Sequence, residues 1–300
     1  MSNFDDLFRQ EQGQYASQSD RTFDKEAWAQ KKQEQREAVY AMIDETAAAV
    51  ARGGGTFQKY LDVQSRFDRY SVSNALLILA QKPEATRIAD FDTWKEQGAY
   101  IRKKETGFYI LEPGEEYQRE DGSTGISYNP KKMFDISQTV NSSKRETPTH
   151  PDERTRIKAL MDHPPVPIHI SDTLPSGVNA LYQSDKREIL IRRGLDGSQI
   201  FRALAQELAQ AEMDKGDGSH NRSEHGFHAY CVSYILCKQY GVETDGFYHF
   251  EGVPQMLETL EPQEIRAELA IIKETAGEIS GRMNRMLNQQ WQQKRQEPER

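Results

Sequence analysis

The stretch Ala203–His220, ALAQELAQAEMDKGDGSH, decides how the second half of the chain is read. It is predicted to lie in a helix over 197–215. A helix that holds zinc for hydrolysis carries His-Glu-x-x-His. Histidines at i and i+4 share one face, and the glutamate between them acts as base toward the metal-bound water. Here those positions are Gln206, Glu207 and Gln210. An amide oxygen is neutral and a poor zinc ligand beside imidazole, thiolate or carboxylate. Glu207, with no metal-bound water to act on, is left as a relic base.

Immediately downstream, HNRSEHGFH supplies His220, Glu224, His225 and His228. Positions i,i+3 and i,i+4 share a helix face, so a relocated metal site there stands as one alternative. The plainer reading is the polar start of a helix over 223–240, with Ser223 as cap and Gly241 as stop. Cys231 and Cys237 fall in that helix's apolar run. A rise of 1.5 Å per residue parts their Cα atoms by roughly 9 Å, too far for a disulfide. They read as reduced core thiols, as in a cytoplasmic protein.

Around these helices, VPIHIS and REILIRR read as short strands, and ALYQSDKREILI as a hairpin turning at Ser184-Asp185. A helix is expected near 153–162 and a last one from about Pro262 into a Gln- and Arg-rich tail. Residues 1–22 are polar and predicted disordered. Residues 141–153, NSSKRETPTHPDE, carry two prolines and no apolar side chain, as a linker would.

Between tail and linker, helices are predicted over 24–51, 56–67 and the run SVSNALLILAQK, with RGGG at 52–55 as a break and Ser71 or Ser73 as a cap. DFDTWKEQG reads as a short helix stopped by Gly98. AYIRKKETGFYILEP reads as a hairpin, 112–131 as a surface loop, and KMFDISQTV as a returning strand.

The 300 residues carry a net charge of −8, which excludes a chain-wide basic footprint for nucleic acid and leaves only a local patch. Residues 57–111 hold nine Lys/Arg against seven Asp/Glu. Binding of single strands pairs such cations with aromatic faces. The candidates are Arg66, Arg69, Tyr70, Asn74, Trp94, Lys95, Tyr100, Arg102, Lys103 and Lys104. Each has a bland alternative: a solvated turn for the basic run, core for Trp94 and Tyr100, a structural amide for Asn74. No apolar run is long enough to span a bilayer, and the first residues lack the pattern of a signal peptide.

Two stretches together resemble the ArdC-like antirestriction family. YLDVQSRFDRYSVSNALLILAQKPEATRIADFDTWKEQGAYIRKKETGFYILEP followed by MFDISQT is similar to its single-stranded-DNA-binding domain. LAQELAQA at 204–211 and AYCVSYILC at 229–237 are similar to the two helices of its metallopeptidase-type domain. In that domain the resemblance implies His, His and Glu as ligands, where this chain has Gln206, Gln210 and Tyr230. A side-chain network among these three is expected in place of the ion.

The resemblance implies an α+β protein with a helical N-terminal domain bearing a small β element and a zincin-like C-terminal domain. The expected boundaries are 23–140 for the DNA-binding domain, 154–255 for the degenerate peptidase domain and 256–300 for a terminal helix and tail. It further implies a cytoplasmic antirestriction protein of a plasmid or conjugative element whose partner is single-stranded DNA. No cofactor, no metal and no membrane are expected, and the peptidase domain is expected to be inactive. The alternatives are a metallopeptidase with a non-standard metal site, and a module that holds a protein or peptide in the relic groove.

Overall fold

In the computed structural model, residues 25–119, 121–141 and 150–296 are described. The tail expected over 1–22 and positions 142–149 of the expected linker lie outside them. The architecture is α+β, with helices and three small sheets. Contacts divide the chain into two compact units, Met1–Val50 with Ser73–Lys144, and Ala51–Val72 with Arg145–Arg300. Residues 51–72, within the expected DNA-binding domain, thus group with the later part of the chain.

The first unit takes most of helix α1 (Lys25–Arg52), which buries Val39, Ile43, Ala47 and Val50 along one stripe at helical spacing. Helix α3 (Val72–Gln81) follows, then strand β1 (Ile88–Ala89), helix α4 (Phe91–Glu96) and strand β2 (Tyr100–Ile101). Asp90 caps α4 by accepting from Thr93 N, and Gly98 ends the turn at φ +75°. Strands β3 (Phe108–Gln118) and β4 (Thr124–Asp135) form a long antiparallel ribbon, and β5 (Thr139–Val140) closes the unit.

Two expectations are corrected here. The run 112–131 is not a loop: β3 and β4 extend through most of it. Its side chains are largely exposed on both faces, so the apolar alternation that marks a half-buried strand is missing while the backbone ladder continues. The segment 99–113 is not a hairpin either. β2 pairs with β5 and β3 with β4, because the 102–107 segment turns away, with Lys104 at φ +70°.

In the order β1-β4-β3, β3 leaves one edge without a strand partner. Helix α3 covers it with two amides. Asn74 accepts from Leu111 N (2.7 Å) and donates to Leu111 O (2.8 Å). One face of the helix further on, Gln81 does the same for Tyr109 (2.9 and 2.8 Å). These amides stand in for a neighbouring strand and blunt the open edge. At the far end Asp135, 1% exposed, accepts from Thr86 N, Arg87 N and Ser137 N, and so ties β1 and β4 together.

The second unit begins with helix α2 (Gly54–Arg66), separated from α1 by Gly53 alone. A Cβ at Gly54 would fall on the Phe250 carbonyl, so the helix start needs a glycine there. Then come α5 (Glu153–Leu160), β6 (Ile168–Ser171), β7 (Ala180–Gln183), β8 (Glu188–Arg192), α6 (Gly197–Met213), α7 (Arg222–Tyr240), α8 (Val253–Leu257) and α9 (Pro262–Gln296). β8 lies between β6, which it meets in parallel, and β7, which it meets antiparallel. Helices α6 and α7 form the centre, and α2, α5 and α9 pack on them. Phe57 of α2 meets Phe227 and Phe250, and Phe250 also meets Tyr230 and Tyr234. Asp196 caps α6 in a reciprocal box with Gln199. The cap of α7 is Asn221, not Ser223: its side chain accepts from Ser223 N. Gly241 closes α7 at φ +67°. No described helix is long and apolar enough to cross a membrane.

Candidate functional site

Glu207 sits on the buried face of α6, only 3% exposed. A carboxylate at that depth needs partners, and it accepts three hydrogen bonds from two residues. Arg222, the first residue of α7, donates from Nη1 to Oε2 and from Nη2 to Oε1, both at 2.6 Å. The N–H of Tyr182 in β7 donates to Oε2 at 2.7 Å. One side chain therefore joins α6, α7 and β7. The Glu207 bonds and charge push the Arg222 guanidinium above its ordinary range, against the opposing effect of burial.

The expected network among Gln206, Gln210 and Tyr230 does not form. Gln210 Nε2 donates to Arg222 O at 3.3 Å, and its Oε1 is buried without a partner. The Tyr230 hydroxyl accepts from His249 N (2.6 Å) and reaches Phe247 O (3.5 Å). Its pKa is raised by burial, partly offset by the His249 bond. Gln206 lines a pocket of about 410 Å³ with Glu207, Arg222 and Tyr230. Two amides, an engaged phenol and a carboxylate already neutralised by a guanidinium do not fit a divalent cation: the donors are weak, and a fixed positive charge stands beside them.

The histidines gather beside this centre. The His220 and His225 rings stack with centroids 5.2 Å apart, and His228 lies 6.4 Å beyond His225. His228 Nε2 is 2.7 Å from Glu268 Oε2, while Glu224 turns aside to accept from Asn221 Nδ2 at 2.8 Å. Burial lowers the pKa of His225, and its neighbours His220 and His228 add to the effect. Both ring nitrogens of His220 and Nδ1 of His228 are buried without a hydrogen-bond partner. Among the described residues no group of three or more His, Cys, Asp or Glu side chains is arranged to hold a metal ion. Cys231 and Cys237 are free and buried, and burial raises both thiols.

The ten residues read from the sequence as DNA contacts fall into three groups. Lys95, Tyr100, Arg102, Lys103 and Lys104 are exposed in the first unit. Arg102 pairs with Glu105 at 2.6 Å, and Tyr100 is 53% exposed. Arg66, Arg69 and Tyr70 belong to the second unit, where Tyr70 sets its ring edge-on to Phe67. Asn74 and Trp94 are buried. The Asn74 amide holds β3, and the Trp94 indole donates to Phe134 O at 2.9 Å inside a cluster with Ala89 and Ala99. Neither can face a base. The exposed aromatic of α4 is instead Phe91, 54% exposed and absent from the sequence-based set. Arg222 was missed as well. Its only signal was charge: the single acid left between two lost ligand positions, and an arginine opening the next helix.

Residues 30–159 match the family model described as the N-terminal domain of anti-restriction factor ArdC. No curated protein matches the chain in sequence. Among solved structures, the antirestriction ArdC protein from the R388 plasmid is similar in its metal-free form, with a TM-score of 0.50 and 16% identity over 72% of this chain and 86% of that one. Its Mn(II)-bound form gives a TM-score of 0.50 and 15% identity over 72% of this chain and 84% of that one. Residues 30–159 are thus similar to the ArdC N-terminal domain, and the fold over 72% of the chain is similar to that of the R388 antirestriction protein.

Proposed function

We propose that the protein binds single-stranded DNA without strong sequence preference and serves an antirestriction role for a plasmid or conjugative element, in the cytoplasm. The carrying observation is the exposed Tyr100–Lys104 turn, which joins an open aromatic face to three cations inside the segment that matches the ArdC N-terminal domain. Lys103 and Lys104 have no acid partner among the described ion pairs, so they are available to phosphate, whereas Arg102 must share itself with Glu105. Fluorescence anisotropy of the full chain with a labelled oligonucleotide tests this. Binding should weaken with salt. The double variant Lys103→Ala/Lys104→Ala should flatten the salt slope, and Tyr100→Ala should weaken binding by about 1–3 kcal/mol if a base stacks there. Absence of binding at low salt would end the reading.

The second unit, on the same proposal, keeps the zincin-like helix pair without its hydrolytic chemistry. The support is the bidentate Arg222–Glu207 pair, which with the Tyr182 N–H puts three donors on the carboxylate and neutralises its charge, so it is a weak base toward water. The R388 relative has an Mn(II)-bound form, but the donor set here does not suit that ion. Peptide hydrolysis by purified protein supplied with Mn(II) or Zn(II), and lost in Glu207→Gln, would refute this part.

A further inference from the structure

The geometry points to a binding site for a small oxyanion ligand, a carboxylate or a phosphate, in the pocket over the Glu207–Arg222 pair. At about 410 Å³ the cavity falls within the range of small-molecule sites, roughly 300–1,000 Å³. Its wall carries two guanidiniums, Arg202 and Arg222, and one carboxylate, Glu207. Glu207 already accepts three hydrogen bonds, two at Oε2 and one at Oε1, and its charge is spent on one guanidinium. The other guanidinium, Arg202, has only the more distant Glu243 carboxylate, whose pKa its charge helps to lower, as an acidic neighbour. Arg202 makes no ion pair among the described residues. It donates from Nη1 to the Glu243 carbonyl at 3.2 Å, and the Glu243 carboxylate is engaged by the N–H groups of Thr244 and Asp245.

The remaining polar groups tilt the same way. A guanidinium has five N–H donors and no acceptor. Arg222 directs two at Glu207 and Arg202 one at Glu243, which leaves most of each fork unsatisfied. Gln206 and Asn179 also line the pocket, and neither side chain makes a hydrogen bond among the described residues. Arg202 lies flat over Phe247, its guanidinium carbon 3.7 Å from the ring centroid, so the fork is held in place before any ligand arrives. A site with surplus donors, two guanidiniums against one lining carboxylate, and a pre-positioned fork is complementary to an acceptor-rich anion. Arg222 supplies a fixed cation beside Glu207, and the pocket above the pair becomes a receiver of negative charge.

The site does not depend on DNA binding by the first unit, so the two can fail separately. Isothermal titration of the full chain with inorganic phosphate and, in a second arm, malonate is the test. Saturable one-to-one binding of phosphate, of malonate or of both supports the site and names its chemistry. Arg202→Gln keeps a polar donor on a shorter stem but removes the charge, and it should weaken that binding roughly tenfold or more. An unchanged circular dichroism melt shows that the variant still folds. No saturable heat with either anion up to tens of millimolar overturns the proposal. So does binding of equal strength in Arg202→Gln, because the anion would then sit elsewhere.

Discussion

Replacing Arg222 by methionine keeps the aliphatic length of the side chain and deletes its charge. Glu207 would then be a carboxylate at 3% exposure holding only the Tyr182 N–H. Removing one member of a fully buried ion pair costs about 3–5 kcal/mol, mostly from the charge left behind. Here the Arg222 side chain is 43% exposed, so water reaches that end and reduces the loss. About 2–3 kcal/mol is expected, and a unit of this size melts roughly 2–4 °C lower per kcal/mol. Arg222→Met should therefore lower the melting midpoint of the second unit by about 5–10 °C. Adding Glu207→Gln to Arg222→Met removes the stranded charge and should recover at least about 1 kcal/mol, which a double-mutant cycle reads directly. The assay is a thermal or urea melt of the full chain followed by near-UV circular dichroism. A single variant that melts within about 1 °C of the parent, or a double variant no better than the single, would refute the claim that this pair holds the site together.

Restoring the ligand pattern with Gln206→His, Gln210→His and Tyr230→Glu should give no Mn(II) binding by calorimetry while Arg222 remains, and measurable binding once Arg222→Met is added. Tight binding in the triple variant alone would show that the guanidinium does not exclude a cation. Asn74→Ala strands the N–H and C=O of Leu111 on the edge of β3, so about 2–4 kcal/mol should be lost from the first unit. Hydrogen exchange at Leu111 should rise accordingly, and unchanged protection would count against the amide clamp. His225 has a folded pKa below its ordinary 6.5, because burial, and then His220 and His228, disfavour the imidazolium. A depressed base makes the unfolded chain bind more protons, so its contribution is whole above pH 6.5 and is lost as pH falls below it. His225→Asn should flatten the stability profile between neutral and mildly acidic pH, and an identical slope in the variant would rule this out.

Sequence periodicity located the helices of the second unit well because each carries a buried stripe and a stop, as Gly241 stops α7. The order of the strands around β8 could not be read the same way. The antiparallel β7–β8 pair is the hairpin read from ALYQSDKREILI, whereas nothing in the strands' own residues announces the parallel pairing of β6 with β8. The β3–β4 ribbon escaped notice because its outer half buries neither face, so only the backbone ladder identifies it. Trp94 and Phe91 show the same limit at one residue's scale. They sit three apart on a six-residue helix, one wholly buried and one 54% exposed, and composition cannot say which turns inward. At the site, the loss of ligands was legible and the replacement was not. Arg222 lies fifteen positions beyond Glu207, and the turn that brings it back, DKGDGSHN at 214–221, is polar with no pattern of its own.

A guanidinium and a divalent cation do the same structural work beside a buried carboxylate and different chemical work. Both neutralise the charge that would otherwise make Glu207 untenable in the core, and both pin α6 to α7. Only the metal lowers the pKa of a bound water into the neutral range. Arg222 stays protonated and has no open coordination position, so it can orient an acceptor but not activate a nucleophile. The exchange also frees Tyr230 from any duty at the centre. Its hydroxyl binds the backbone of Phe247 and His249, the loop that in turn places Phe247 under Arg202.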